Sequence, residues 1–153
     1  MKIQTLCHAL EKAEIPYALV GGYAVALHGA VRGTTDIDLV IRQEKQYFIK
    51  IENAMHSLGL KSRLPVTAEE VFEFRKEYIQ NRNMIAWSFY NPQRPSELID
   101  IIITLDLSSA KKIKKSYNGQ PIYVLGIEDL IKMKKESGRP QDLADVNSLE
   151  MLK

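Results

Sequence analysis

Apolar positions along the chain repeat with two periods, and the switches between them divide it into short alternating elements. Ile3, Leu6, Cys7 and Leu10 sit at helical spacing, with Pro16 beyond the end of that helix. Tyr17 to Val20 is a short apolar run, a strand, that stops at Gly21-Gly22; Ala24, Leu27 and His28 then resume a helical pattern. Asp36 to Ile41 alternates, which predicts a strand with Ile37, Leu39 and Ile41 on one face and Asp36 and Asp38 on the other. Tyr47, Phe48, Ile51, Met55 and Leu58 form the apolar face of a helix over Glu44 to Leu58, closed by Gly59. Leu60 to Leu64 reads as a short strand ending at Pro65, and Thr67-x-x-Glu70 is a capping box that opens a helix to about Lys76. Met84 to Tyr90 is the next strand, followed by an Asn91 to Ser96 loop with two prolines and a strong strand over Glu97 to Thr104. Asn118-Gly119 joins two strands as a hairpin, Glu128 to Glu136 is a helix stopped at Gly138, and Pro140 suits the first turn of a last helix. The expectation is one α/β (α+β) domain over residues 1–153, a mixed sheet flanked by helices with a C-terminal helix pair.

Three carboxylates stand out against this pattern. Asp36 and Asp38 share a strand face, roughly 6–7 Å apart at a rise of about 3.3 Å per residue. Asp100 is the one charge inside Leu98 to Ile103, opposite the face of Ile99, Ile101 and Ile103. A charge there costs several kcal/mol if buried alone, so it needs a partner. On neighbouring strands about 4.8 Å apart the three converge, and convergent carboxylates repel unless a cation neutralises them. Oxygen-only ligation suits magnesium. The glycine turn permits close backbone approach, and the N–H groups opening the next helix suit phosphate. Each feature has a plainer reading: Gly21-Gly22 as a turn, Asp36 as a loop cap, Asp38 as a surface residue, His28 as a packed side chain, and Lys134, Arg139 and Asp142 as helix-end charges.

The ordered set Gly21-Gly22, Arg32-x-Thr34-x-Asp36-Ile37-Asp38 and a later Asp100 resembles the DNA polymerase beta-like nucleotidyltransferase superfamily. It is similar to the superfamily's small prokaryotic members, the AbiEii-type toxins and minimal nucleotidyltransferases. Leu130-Ile131-x-x-Lys134-x-x-x-Gly138-Arg139-Pro140-x-Asp142-x-x-Asp145 looks like their terminal helix pair. The resemblance implies transfer of a nucleoside monophosphate from a nucleoside triphosphate such as ATP to an acceptor hydroxyl. Asp36, Asp38 and Asp100 would be the catalytic, metal-binding carboxylates, holding two Mg2+ ions, with Mn2+ as an alternative. Gly21, Gly22, Arg32, Thr34 and Lys134 would contact the nucleotide. Its implied partners are a transfer RNA or other RNA, a protein or a small molecule as acceptor, and a cognate antitoxin if the protein belongs to a toxin–antitoxin pair. Gly22 stands where many members of the superfamily have Ser, so any phosphate contact there comes from the backbone. Two other classes remain open: a catalytically inactive nucleotide- or RNA-binding member, and a metal-dependent phosphohydrolase.

Composition narrows the setting. Hydrophobic residues make up 45% of 153 and charged residues 26%, as in ordinary globular domains. The net charge of +2 sets up no strong overall field, so any RNA contact rests on local clusters: Lys111, Lys112, Lys114 and Lys115, and Lys132, Lys134 and Lys135. A solvated face is their alternative. Cys7 is the single cysteine, which excludes an intramolecular disulfide and fits a reducing compartment. Met1 to Ala13 mixes charges into a helical pattern unlike a signal peptide, and no apolar run reaches the roughly 20 residues of a membrane helix. A cytoplasmic protein with no membrane association is expected.

Overall fold

The computed structural model describes residues 1–31 and 33–153. The helices are α1 (Ile3–Lys12), α2 (Gly21–Leu27), α3 (Lys45–Ser57), α4 (Ala68–Glu73), α5 (Arg75–Arg82), α6 (Ile127–Ser137) and α7 (Pro140–Met151). The strands are β1 (Tyr17–Val20), β2 (Ile37–Ile41), β3 (Lys61–Ser62), β4 (Ala86–Asn91), β5 (Arg94–Ile102), β6 (Lys112–Tyr117) and β7 (Gln120–Leu125), in one sheet of order β3-β4-β5-β2-β1-β7-β6. Strands β2 and β5 are parallel, as are β1 and β7, and the remaining pairs are antiparallel. The mixed α/β architecture agrees with the sequence.

Alternation along β4 and β5 decides which face becomes core and which carries chemistry. Trp87 and Phe89 are register partners of Ile101 and Ile99, and all four are buried. On that face Phe48 of α3 stacks on Trp87 with ring centroids 6.1 Å apart, and the indole N–H donates to Ser62 Oγ at 3.1 Å. Removing such a core aromatic costs about 3–5 kcal/mol. The intervening residues, Ser88 opposite Asp100 and Tyr90 opposite Leu98, project from the other face. The same period carries through β2, where Ile37 and Leu39 pair with Ile99 and Ile101 while Asp38 pairs with Asp100.

The local signals form as the sequence suggests. Thr67 and Glu70 make both bonds of the capping box, Asn118 and Gly119 take positive φ (50° and 80°) in the β6–β7 turn, and Gly138 ends α6 at φ 65°. Three boundaries differ. The helix opened by Thr67 does not stop near Lys76; it turns at Phe74 and continues to Arg82, with Arg75 Nε donating to Ile103 O at 2.6 Å. That bond joins residues far apart in sequence, which local pattern cannot reveal. The Asn91–Ser96 loop is instead a tight hairpin, because Asn91 already pairs with Arg94 across a register shift. Strand β2 begins at Ile37, leaving Asp36 one residue outside it. Among the described residues no helix is long and apolar enough to cross a membrane.

Candidate active site

The antiparallel β1–β2 pair and the parallel β2–β5 pair meet at one point. Val20 pairs with Asp38, and Asp38 pairs with Asp100, so the end of β1, the glycine turn and both carboxylates share one end of the sheet. Gly21 adopts φ +68°, a conformation that side chains strain to adopt, and a Cβ there would collide with Asp38 Oδ2. Glycine at this position therefore makes room for the aspartate itself. Gly22, buried in the first turn of α2, faces Thr34: a Cβ would come within 2.7 Å of Thr34 Cβ. The Thr34 hydroxyl donates to Asp36 O at 3.2 Å, which ties the loop before β2 to its strand. Arg32 lies outside the described residues.

Asp38 and Asp100 are half-buried and hydrogen-bonded to each other. Burial pushes the Asp38 carboxyl up to about 7, and the charge and hydrogen bond of Asp100 and the charge of Asp36 add to the rise; the Lys134 ammonium opposes it. Ser88 Oγ donates to Asp100 Oδ1 at 2.6 Å. Asp36 stands beside the pair, with its Oδ1 accepting the Leu98 N–H at 3.2 Å. Among the described residues no three His, Cys, Asp or Glu side chains form a ready-made metal cluster. Two carboxylates hydrogen-bonded to each other, with a third charge at the rim, nonetheless offer the hard oxygen donors and negative charge that suit Mg2+.

The C-terminal helices bring in compensating charge. Lys134, 8% exposed, lies between Asp142 Oδ1 at 3.3 Å and Asp145 Oδ2 at 3.0 Å. Arg139 grips Asp142 through Nε at 2.7 Å and Nη2 at 3.3 Å. Burial pushes Asp142 up, but the Arg139 hydrogen bonds and the charges of Lys134 and Arg139 outweigh it and hold the carboxyl below its usual range. Lys134 and Arg139 both interact electrostatically with Asp38, so the network borders the acidic pair. Asp142, read from sequence as a helix-end charge, and Asp145 are the anions that seat Lys134.

The lysine clusters do not form single patches. Strand alternation puts Lys112 and Lys114 on one face of β6, with Lys112 Nζ 4.5 Å from the Tyr123 ring centroid, and Lys115 on the other, near enough to His28 to affect it. On α6, Lys132 and Lys135 point outward while Lys134 is buried. His28 is a packed residue, hydrogen-bonded to Leu125 O at 2.8 Å. Ser88 escaped the sequence reading altogether, because only the β4–β5 register sets it against Asp100.

Solved structures share this fold. A lincosamide antibiotic adenylyltransferase, LnuA, in a lincomycin-bound structure, is 16% identical, with a TM-score of 0.63 over 99% of this chain and 96% of that one. The antibiotic-resistance factor ANT(2'')-Ia is 16% identical, with a TM-score of 0.63 over 98% and 80%. A nucleotidyltransferase-like antigenic protein from Paracoccidioides brasiliensis is 19% identical, with a TM-score of 0.60 over 96% and 72%. No curated protein matches the chain by sequence. The family described as aminoglycoside-2''-adenylyltransferase matches residues 2–83, more than half of the 153, and that stretch holds the glycine turn, Thr34, Asp36 and Asp38. The chain belongs to the aminoglycoside-2''-adenylyltransferase family.

Proposed function

We propose that the protein transfers a nucleoside monophosphate, most simply AMP from ATP, to a hydroxyl of a small-molecule acceptor. The observation that carries this reading is the Asp38–Asp100 register pair beside a glycine turn that admits no side chain, in a chain of an adenylyltransferase family. The acceptor oxygen bonds to the α-phosphorus as the bond from that phosphorus to the bridging oxygen breaks, and pyrophosphate leaves with the electron pair. The acceptor proton passes to Asp100, whose carboxylate is oriented by Ser88. Asp36, Asp38 and Asp100 are the residues that would hold Mg2+, which supplies charge neutralisation at the phosphates and a more acidic acceptor hydroxyl. The backbone N–H groups at Gly21 and Gly22, which open α2 and so have no acceptor within the helix, suit the distal phosphates. Lys134 and Arg139 add positive potential on the same side of Asp38.

The family match favours a small-molecule acceptor over the RNA and antitoxin partners of the toxin-like resemblance. The division of both lysine clusters between opposite sides of their elements points the same way.

The test is incubation with ATP labelled at the α-phosphate, Mg2+ and a panel of hydroxyl acceptors, with pyrophosphate measured in parallel. Label transfer matched by pyrophosphate is expected, and Asp100→Asn should lower the rate by about 10²–10⁴-fold. Release of orthophosphate would identify a phosphohydrolase. Tight ATP binding with no product would identify an inactive member.

A further inference from the structure

Gly21 and Gly22 are adjacent, but they exclude a side chain for different reasons. At Gly21 a positive φ and Asp38 Oδ2 both stand in the way, whereas Gly22 has helical backbone and lacks only space. The side chain that fills this space is Thr34. A Cβ on Gly22 would lie 2.7 Å from Thr34 Cβ, 3.0 Å from Oγ1 and 3.1 Å from Cγ2, all closer than packed side-chain atoms sit. Thr34 is partly buried between exposed Gly33 and Thr35, so it turns inward where its two neighbours turn outward. A side chain at position 22 is admitted only if Thr34 moves.

What the loop before β2 carries makes that position matter. Asp36 lies one residue outside the strand, beyond the register pairs that fix Asp38 between β1 and β5. Its main-chain oxygen accepts the Thr34 hydroxyl at 3.2 Å, and its Oδ1 accepts the Leu98 N–H at 3.2 Å. A hydroxyl has one proton to donate, and that of Thr34 is directed at Asp36 O, away from any ligand. Seat and bond act in series: the bare Gly22 receives the threonine, and the threonine holds the main chain of Asp36.

We propose that Thr34 is a positioning residue for Asp36, seated on Gly22, and that it acts on the nucleotide only through that carboxylate. The inference rests on the adenylyl-transfer reading for the role of Asp36 as a Mg2+ ligand, while the seat itself can be measured without nucleotide. Binding of a non-hydrolysable ATP analogue to the full chain is followed by calorimetry, once with Mg2+ and once with EDTA. Thr34→Val keeps the packing and removes the bond to Asp36, so the Kd with Mg2+ should rise by about fivefold or more while the Kd in EDTA stays the same. Thr34→Ser keeps the hydroxyl and should remain within about twofold of the parent. Gly22→Ala should weaken Mg2+-dependent binding as Thr34→Val does, yet add nothing when made in Thr34→Gly, where the space is open. The Val and Ser variants add no bulk and report even if Gly22→Ala fails to fold. Equal losses with Mg2+ and EDTA would make Thr34 a direct nucleotide contact and overturn the proposal, as would an unchanged Kd in Thr34→Val. A parent that binds the analogue equally well in Mg2+ and EDTA counts against the metal-dependent reading alone. The melting temperatures of the same glycine and threonine variants without nucleotide then decide the seat: a fall with Gly22→Ala that vanishes in Thr34→Gly supports it, and one that persists overturns it.

Discussion

Two clusters of buried or half-buried carboxylates lie side by side in this molecule and are treated in opposite ways. At the α6–α7 junction, Asp142 and Asp145 are answered by Lys134 and Arg139 at 2.7–3.3 Å. At the end of β2 and β5, Asp38 and Asp100 face each other, and among the described residues Asp100 accepts one serine hydroxyl while the charge of Lys134 acts on Asp38. The first cluster carries its compensating charge within the fold. Among the described residues the second has less positive charge close to it, and on the proposed function an external cation with its bound phosphates would make up the difference. Compensation inside the fold and deficit at the sheet end are the same chemistry read from two sides, and substitutions should move them in opposite directions.

The largest effect on stability is expected from Lys134→Met. It leaves Asp142 and Asp145 buried without their ammonium, a loss of about 3–5 kcal/mol in chemical denaturation at pH 7. Replacing all three by apolar residues of similar volume should recover much of that loss, because no unpaired charge remains. A Lys134→Met variant as stable as the parent would show that the network contributes little.

Asp38→Asn should act with the opposite sign. The Asp38 carboxyl rises to about 7 in the folded protein from an ordinary value near 3.8, so the folded state binds a proton the unfolded chain has already lost. Its contribution is therefore fully present below about pH 4 and is lost as pH rises to about 7. With EDTA present, the parent should lose on the order of a few kcal/mol between pH 4.5 and pH 8 through this group, and Asp38→Asn should lack that loss and be the more stable protein at pH 8. Magnesium should restore the parent and leave the variant unmoved. Denaturation curves at the two pH values, with and without the ion, separate these outcomes; parallel pH profiles would count against a proton-sharing pair.

The glycine turn gives a prediction of intermediate size. Gly21→Ala forces a side chain into φ +68° and into the space of Asp38 Oδ2, so it should cost about 1–3 kcal/mol and also displace the acidic pair. Its signature is a loss of Mg2+ affinity larger than the fall in stability alone would cause.

What could be read from the chain and what could not divides along the same line. Gly21-Gly22, Asp36-Ile37-Asp38 and the lone Asp100 among isoleucines are local patterns, and alternation alone put the carboxylates on the face opposite the core. The helix caps and the Asn118-Gly119 turn were equally legible, since each depends on two to four neighbouring residues. The compensating network was not: Lys134, Asp142 and Asp145 sit on two helices, and the same residues serve equally well as helix-end charges until α6 and α7 are packed together. The continuation of the helix past Phe74 and the split lysine clusters likewise depend on strand pairing or long-range bonds.

Ser88 is the case in which register alone creates a role, and its substitution should have the smallest effect. The hydroxyl sits 2.6 Å from Asp100 Oδ1, short enough for a charge-assisted bond, and it donates from the strand that flanks the reactive face. Ser88→Ala leaves the Arg63 N–H bond to the main-chain oxygen of residue 88 intact and adds no volume, so stability should fall by no more than about 1–2 kcal/mol. On the proposed mechanism, what it removes is the restraint that would aim Asp100 at the acceptor. The turnover rate should drop about tenfold, the equivalent of about 1.4 kcal/mol, with the KM for ATP unchanged. Ser88→Thr keeps the hydroxyl and should restore most of the rate, whereas a structural role alone would make the β-branched residue no better than Ala. If Ser88→Ala instead raised KM for ATP at constant kcat, the serine would belong with the nucleotide and the base at Asp100 would be oriented by something else.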